Sequence, residues 1–272
     1  MTKKANIINE VMTELKARGY EPITNEVVKN GVTKTGITVT GLGVAPTIYA
    51  EDILDRDIDE VITVFIKHIE DGKRFADFNA NFTWDNVKDN ILPYLVGASR
   101  VDTDLWKRVD DTDLCYGVRY FLTGLADGET ATVKFTEDLV KRLGVDKETV
   151  FRQAVANIDK YAEYMELADY LHLPMPCGAP TMYFLRYKHS ACFGAGAILS
   201  EKMRGELSAL FGGDYVVIPS SIHEVLLVPA TDEARMLGDM IKTVNATEVS
   251  PEEILSDHAY RFNVTTSSLM SL

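Results

Sequence analysis

Cysteine is scarce: the 272 residues hold three, Cys115, Cys177 and Cys192. So few, and an odd number, exclude a disulfide framework and predict a reducing, cytoplasmic setting. Three Asn-x-Thr triplets, at Asn81, Asn245 and Asn263, are then coincidental, because nothing routes the chain outward. No apolar run approaches the roughly 18 residues of a membrane span. The opening stretch, MTKKANIINEVMTELKARG, carries charges throughout an amphipathic pattern and reads as a helix, not a secretory signal. Basic residues are also few, with 28 Lys and Arg against 41 Asp and Glu, a formal net charge of -13. Such a field repels nucleic-acid phosphates and anionic membranes and favours a partner with a basic surface. No segment repeats, and none is low in complexity.

What is present is an ordinary globular composition with clear periodicity, 46% hydrophobic and 25% charged. Ile7, Ile8, Val11, Met12 and Leu15 predict a first helix that Gly19 closes. Two β-branched runs around Asn30-Gly31 predict a hairpin. A second helix places Leu54, Ile58, Val61, Ile62, Phe65 and Ile69 on one face, with Asp57 and Glu60 as its capping box. From Ile91 onward strand-like runs (ILPYLVG, LCYGVRYFLTG, TMYFLRY, DYVVI, HEVLLV, HAYRFNV) are interleaved with helical stretches. Those include Thr136 to Gly144, Val150 to Tyr161, a single helix from Gly194 to Phe211, and one burying Leu237, Met240, Ile241 and Val244. Ser250-Pro251-Glu252-Glu253 reads as a further helix start, and the end of the chain as a polar tail. Strands and helices do not alternate strictly. The expectation is an α+β fold: a mixed, mainly antiparallel sheet packed by helices in residues 91–272, with a smaller helix–hairpin–helix region in residues 1–90.

Reactive side chains are densest in IPSSIHEVLLVP, where Ser220, Ser221, His223 and Glu224 fall within five residues. Pro219 suits a tight turn, and residues two apart in an extended segment share a face. Ser221 and His223 then lie together while Glu224 points away, so Glu224 cannot hold the imidazole as a triad requires. No Gly-x-Ser-x-Gly elbow exposes a nucleophile. The stretch reads first as a β-hairpin with Pro219–Ile222 at its tip. His172, Cys177, His189 and Cys192 match the ligand count of a structural zinc site, but their spacings fit no common finger, so no metal is expected. Cys192, just before a helix start, could be an activated thiol, although cysteine is more often a small buried hydrophobe. FGAGAIL has two glycines of a dinucleotide fingerprint but lacks the third and the following acidic residue, so it reads as close helix packing and no cofactor is expected. EDILDRDIDE places six acids in ten residues. On a helix burying Leu54 and Ile58, its Asp52, Asp55 and Asp59 would form an outward row able to imitate nucleic-acid phosphate.

TMYFLRY, FGAGAIL, YVVIPSSIHEVLLVP and MIKTVNATEVSPEEILSDHAYRF together resemble an uncharacterised bacterial domain-of-unknown-function family with a Pro-Ser-Ser-x-His-Glu block. NGVTKTGITVTGLGVAPTIYAEDIL resembles that family's N-terminal block, and VDKETVFRQAVANI is more distantly similar to the YtpQ-type family. The resemblance implies a bacterial, cytoplasmic protein, a mobile-element accessory or anti-defence role, and no known reaction. The leading expectation is a non-enzymatic interaction protein binding a basic macromolecule through Ser220, Ser221, His223 and Glu224 or through Asp52, Asp55 and Asp59. The alternative is a hydrolase or thiol-dependent enzyme using His223 with Ser220 or Ser221, or Cys192.

Overall fold

The computed structural model describes residues 2–41, 45–73, 81–122, 131–172, 181–188, 192–231 and 237–272, which divide into two compact units, Met1–Thr83 and Trp84–Leu272. Both set helices against antiparallel sheets, so the chain is α+β.

The N-terminal unit opens with α1 (Lys3–Ala17), capped by Thr2, whose hydroxyl accepts the Ala5 N–H at 3.3 Å. Ile7, Val11 and Leu15, four apart, turn inward. Gly19 then leaves the helix at φ +85°, a left-handed exit that favours glycine. Strands β1 (Pro22–Lys29) and β2 (Val32–Val39) pair antiparallel, with Lys29 opposite Val32. The intervening Asn30 and Gly31 both have positive φ, 44° and 76°, as a two-residue type I′ turn demands. A third strand, β3 (Thr47–Tyr49), joins the other side of β2. It stops early because the Glu51 carboxylate takes the Thr35 N–H, at 3.1 and 3.2 Å, that a longer strand would meet. A 3₁₀ turn (Ala50–Ile53) leads to α2 (Ile58–Lys73), whose first turn is capped by Asp57 accepting the Glu60 N–H at 3.1 Å. Ile37 and Val39 of the sheet, Ile53, and Val61, Ile62, Phe65 and Ile69 of α2 close the core against α1. Each such side chain contributes about 1.5–3 kcal/mol through burial.

The C-terminal unit starts with α3 (Trp84–Val87) and a sheet of β4 (Ile91–Gly97), β5 (Lys107–Arg108), β6 (Leu114–Leu122) and β7 (Ala131–Lys134). Strand β6 is its hub, pairing antiparallel with the other three. Helices α4 (Glu137–Arg142) and α5 (Lys147–Tyr161) follow, capped by Thr136 and Asp146. Asn157 of α5 is buried and donates to the Lys88 and Ile91 carbonyls at 2.8 and 2.9 Å, which anchors the helix where β4 begins. The remaining elements are β8 (Ala162–Glu166), α6 (Leu167–Leu171), β9 (Tyr183–Tyr187), α7 (Glu201–Phe211), β10 (Tyr215–Pro219), β11 (Val225–Pro229), α8 (Leu237–Thr247), β12 (Tyr260–Asn263) and β13 (Ser268–Ser271). Their strands form a second antiparallel sheet in the order β13-β12-β10-β11-β9-β8. Among the described residues no helix is long and apolar enough to cross a membrane.

Several local expectations are overturned, each by a polar group with a stronger claim than periodicity. The single helix from Gly194 to Phe211 is a 3₁₀ turn (Gly194–Leu199) and α7, broken at Ser200. There the serine is extended, and its hydroxyl caps Met203 at 3.0 Å while bonding Asp159. Ser250 to Glu253 forms a turn and no helix: the Pro251 carbonyl accepts from Arg100 and the Glu253 carbonyl from Ile222. Helix α8 buries Ile241 and Asn245 while Met240 and Val244 are exposed. The cause is Asn245, whose amide donates to the Ser256 carbonyl and to Asp257. The polar tail is β13, returned by a turn in which Asn263 accepts the Thr265 and Thr266 N–H groups.

Candidate functional site

Strands β10 and β11 pair from Tyr215 opposite Pro229 to Pro219 opposite Val225, so IPSSIHEVLLVP is a β-hairpin. Its connection runs from Ser220 to Glu224; Pro219, expected in the turn, is the last paired residue of β10. Ile222 plugs the turn into the core: its N–H donates to the Glu253 carbonyl at 2.9 Å, and its carbonyl accepts from Ala195 at 3.3 Å. Ser221 and His223 do come together, but through the main chain, with the His223 N–H donating to Ser221 Oγ at 3.0 Å. Glu224 contributes its carbonyl, accepting the Ser221 N–H.

The imidazole is held from both sides. His223 Nδ1 accepts the Phe193 N–H at 3.0 Å, and Nε2 lies 3.3 Å from Glu253 Oε1. With the Nδ1 lone pair engaged, the ring proton sits on Nε2 and points at Glu253. Glu253 is thus the carboxylate partner that the hairpin stretch by itself does not contain, yet the ring has no free lone pair for a serine proton. Next to it Phe193 adopts φ 59°, and a Cβ on Gly194 would stand 2.5 Å from the His223 carbonyl oxygen. This cluster ties the 193–194 turn to the hairpin. His223→Ala is expected to cost about 1–3 kcal/mol, since it strands the Phe193 N–H; urea denaturation measures it, and unchanged stability would contradict that role.

Beyond Phe193 a cation is stacked between aromatic rings. The Arg119 guanidinium lies 4.1 Å from the Phe193 ring centroid and 4.7 Å from that of Tyr94. Room for Tyr94 comes from Gly117 opposite, where a Cβ would meet the ring at 2.6 Å. Arg119 donates to Thr132 Oγ1 at 3.0 Å; its Nε is buried without a hydrogen-bond partner among the described residues. Burial pulls the Arg119 pKa down, against the favourable fields of Tyr94, Asp102 and Cys192. Asp102 is itself held by Lys134 at 3.0 Å. Cys192 therefore lies within electrostatic reach of a guanidinium. Of the four residues weighed for zinc, Cys177 and His189 lie outside the described residues. His172 ends α6 in a left-handed conformation at φ 53°.

The acidic segment is arranged differently from the expected row. Asp52 lies on the 3₁₀ turn and Asp55 in the bend after it, so with Asp59 on α2 they do not share one helix. Three of the segment's six carboxylates are counter-ions for lysines of the same unit. Asp52 pairs with Lys34 at 2.6 Å, Asp55 with Lys3 at 2.5 Å and Glu51 with Lys4 at 2.5 Å. Burial raises the Glu51 pKa, but the Lys4 ion pair and the Thr35 N–H outweigh it, and the carboxyl sits below its ordinary value. Lys34 is 5% exposed, and Lys29 stands over the Tyr49 ring at 3.9 Å. Burial, and then Asp52, push the Tyr49 hydroxyl upward against the opposing pull of Lys34.

A groove of about 310 Å³ opens here between β3 and α2. Thr47, Ile48 and Tyr49 form one wall, and Glu60, Val61, Val64 and His68 the other; Asp52, Ile53 and Arg56 complete it. Neither this groove nor the Glu253 contact is legible in the sequence by itself. The β-forming triplet Thr-Ile-Tyr after Pro46 was the available signal for the strand; nothing signalled Glu253, thirty residues from His223.

No curated protein and no solved structure matches the chain. Residues 3–264 match the model of a family of unknown function, so the chain, over nearly its whole length, belongs to the DUF5688 family.

Proposed function

We propose that this chain works by binding and not by catalysis, and that its partner is a macromolecule with a basic surface. The observation carrying this reading is the groove beside β3, lined by Asp52 and Glu60, in a chain of net charge -13. Residues 51–60 hold six carboxylates and one cation, Arg56. Setting Lys3, Lys4, Lys34, Arg56 and the Lys29 that stands over Tyr49 against the six still leaves one negative charge around the groove. The catalytic alternative through His223 is weakened by the engaged ring nitrogen, and Ser221 Oγ already accepts a main-chain N–H. A bacterial, cytoplasmic accessory or anti-defence protein that occupies a basic partner fits this reading, and the same charge disfavours direct nucleic-acid binding.

Asp59 and Glu60 are exposed and lie outside the lysine pairs, so they report on partner binding without disturbing the fold. The immobilised chain is expected to recover a basic protein in stoichiometric amount from a bacterial lysate at low salt. Recovery should fall at high salt, where charges are screened beyond about 8–10 Å, and fall several-fold in an Asp59→Asn, Glu60→Gln variant. Equal recovery by variant and parent at both salt concentrations would remove the proposal.

A further inference from the structure

We infer that β3 accepts an extended basic peptide segment of the partner as a fourth strand, laid in the groove between β3 and α2; this rests on the binding reading above. The phase of the main chain supports it. The Val39 N–H donates to the Pro46 carbonyl at 3.1 Å, and in an antiparallel pair such bonded positions alternate with unbonded ones. With Thr38 opposite Thr47 and Ile37 opposite Ile48, Ile48 bonds toward β2 while Thr47 and Tyr49 turn their N–H groups to the open side. Strand β3 is one of the two edges of its sheet, β1 being the other, and among the described residues it pairs with β2 alone. An exposed edge by itself invites any strand, and three residues are too few to hold one by main-chain bonds alone. Here the groove walls add the selectivity.

Glu60, Val64 and His68 are four residues apart, so they line one stripe of α2 facing the edge strand. Val64 is 51% exposed, an apolar side chain in water with a groove beside it. An added strand would place the residue opposite Ile48 toward α2, against Ile53, Val61 and Val64. Two residues along, on the same face, a lysine or arginine would reach Glu60. Recognition is thus by main-chain addition to the edge, one apolar contact and one charge, the pattern of strand-addition peptide sites.

The test selects random peptides displayed on phage against the full chain and measures the best of them by fluorescence polarisation and amide hydrogen exchange. The expected peptides alternate apolar and basic residues. At saturation they slow exchange at the Thr47 and Tyr49 amides at least about tenfold, and Val64→Arg, at a half-exposed position that tolerates it, weakens binding at least about tenfold. Basic peptides that bind without protecting those amides and are indifferent to Val64→Arg would overturn strand addition while leaving the basic-partner reading intact. A selection that enriches no basic sequence would overturn both.

Discussion

Gly196→Ala is expected to destabilise the C-terminal unit by about 3 kcal/mol or more, the largest effect of any small substitution considered. The added Cβ would stand 2.2 Å from the Pro93 carbonyl oxygen and 2.6 Å from Tyr187 Oη. Neither can retreat. Pro93 is a paired residue of β4, and the fully buried Tyr187 hydroxyl donates to that same carbonyl at 2.8 Å. Gly205 supplies the control: it sits inside α7 with nothing within 4 Å of its would-be Cβ. Gly205→Ala should therefore stabilise, by up to about 1 kcal/mol, through helix propensity alone. Urea denaturation of the two variants decides the matter, and equal effects would show that the 194–199 turn gives way more easily than its contacts imply. The glycines of FGAGAIL are thus a packing device, and the partial likeness to a dinucleotide fingerprint comes from the same need for close main-chain approach.

Asp52→Asn is expected to cost about 2 kcal/mol. Breaking a fully buried ion pair costs about 3–5 kcal/mol, because the surviving charge stays in low dielectric. Lys34 meets that condition, with 6% of its side chain exposed, but Asp52 is 49% exposed and water screens part of the loss. Had Asp52 been one of a row of merely solvated acids, its removal would change stability by less than about 0.5 kcal/mol. Adding Lys34→Met to Asp52→Asn should restore most of the loss, since the buried cation is then gone as well. A single variant as stable as the parent, by thermal or urea denaturation, would mean that Lys34 finds a second anion.

The elements whose cause is local were readable from residues alone. Asn30-Gly31 specified its turn because few other dipeptides tolerate two positive φ values, and Thr136 marked the start of α4 by its hydroxyl. The buried strand runs of β4, β6, β10 and β11 were equally plain. What stayed hidden depends on partners distant in the chain. Nothing near Ser250 shows that Arg100 and Ile222 will claim the carbonyls of that turn. Nothing near Asp52 shows that Lys34 will be buried and need it. Hydropathy treats an exposed carboxylate as merely solvated, and here the half-exposed Asp52 is the counter-ion of a buried lysine. The family match carries no chemistry, so the site rests on geometry alone.

The seat of Gly196 on Pro93 also has a consequence in time. The Asn30–Gly31 hairpin joins near neighbours and can form within about 1–10 μs. The junction at Pro93 joins residues 94 apart in the Tyr187 bond alone, so a long loop must close before that contact is made. We expect this contact to form after the rate-limiting barrier has been crossed, which the refolding and unfolding rates of Gly196→Ala measure. Crowding it should leave the refolding rate nearly unchanged and speed unfolding by almost the whole free-energy difference. On that expectation Gly196 governs how long the folded molecule lasts, and hardly at all how fast it is reached.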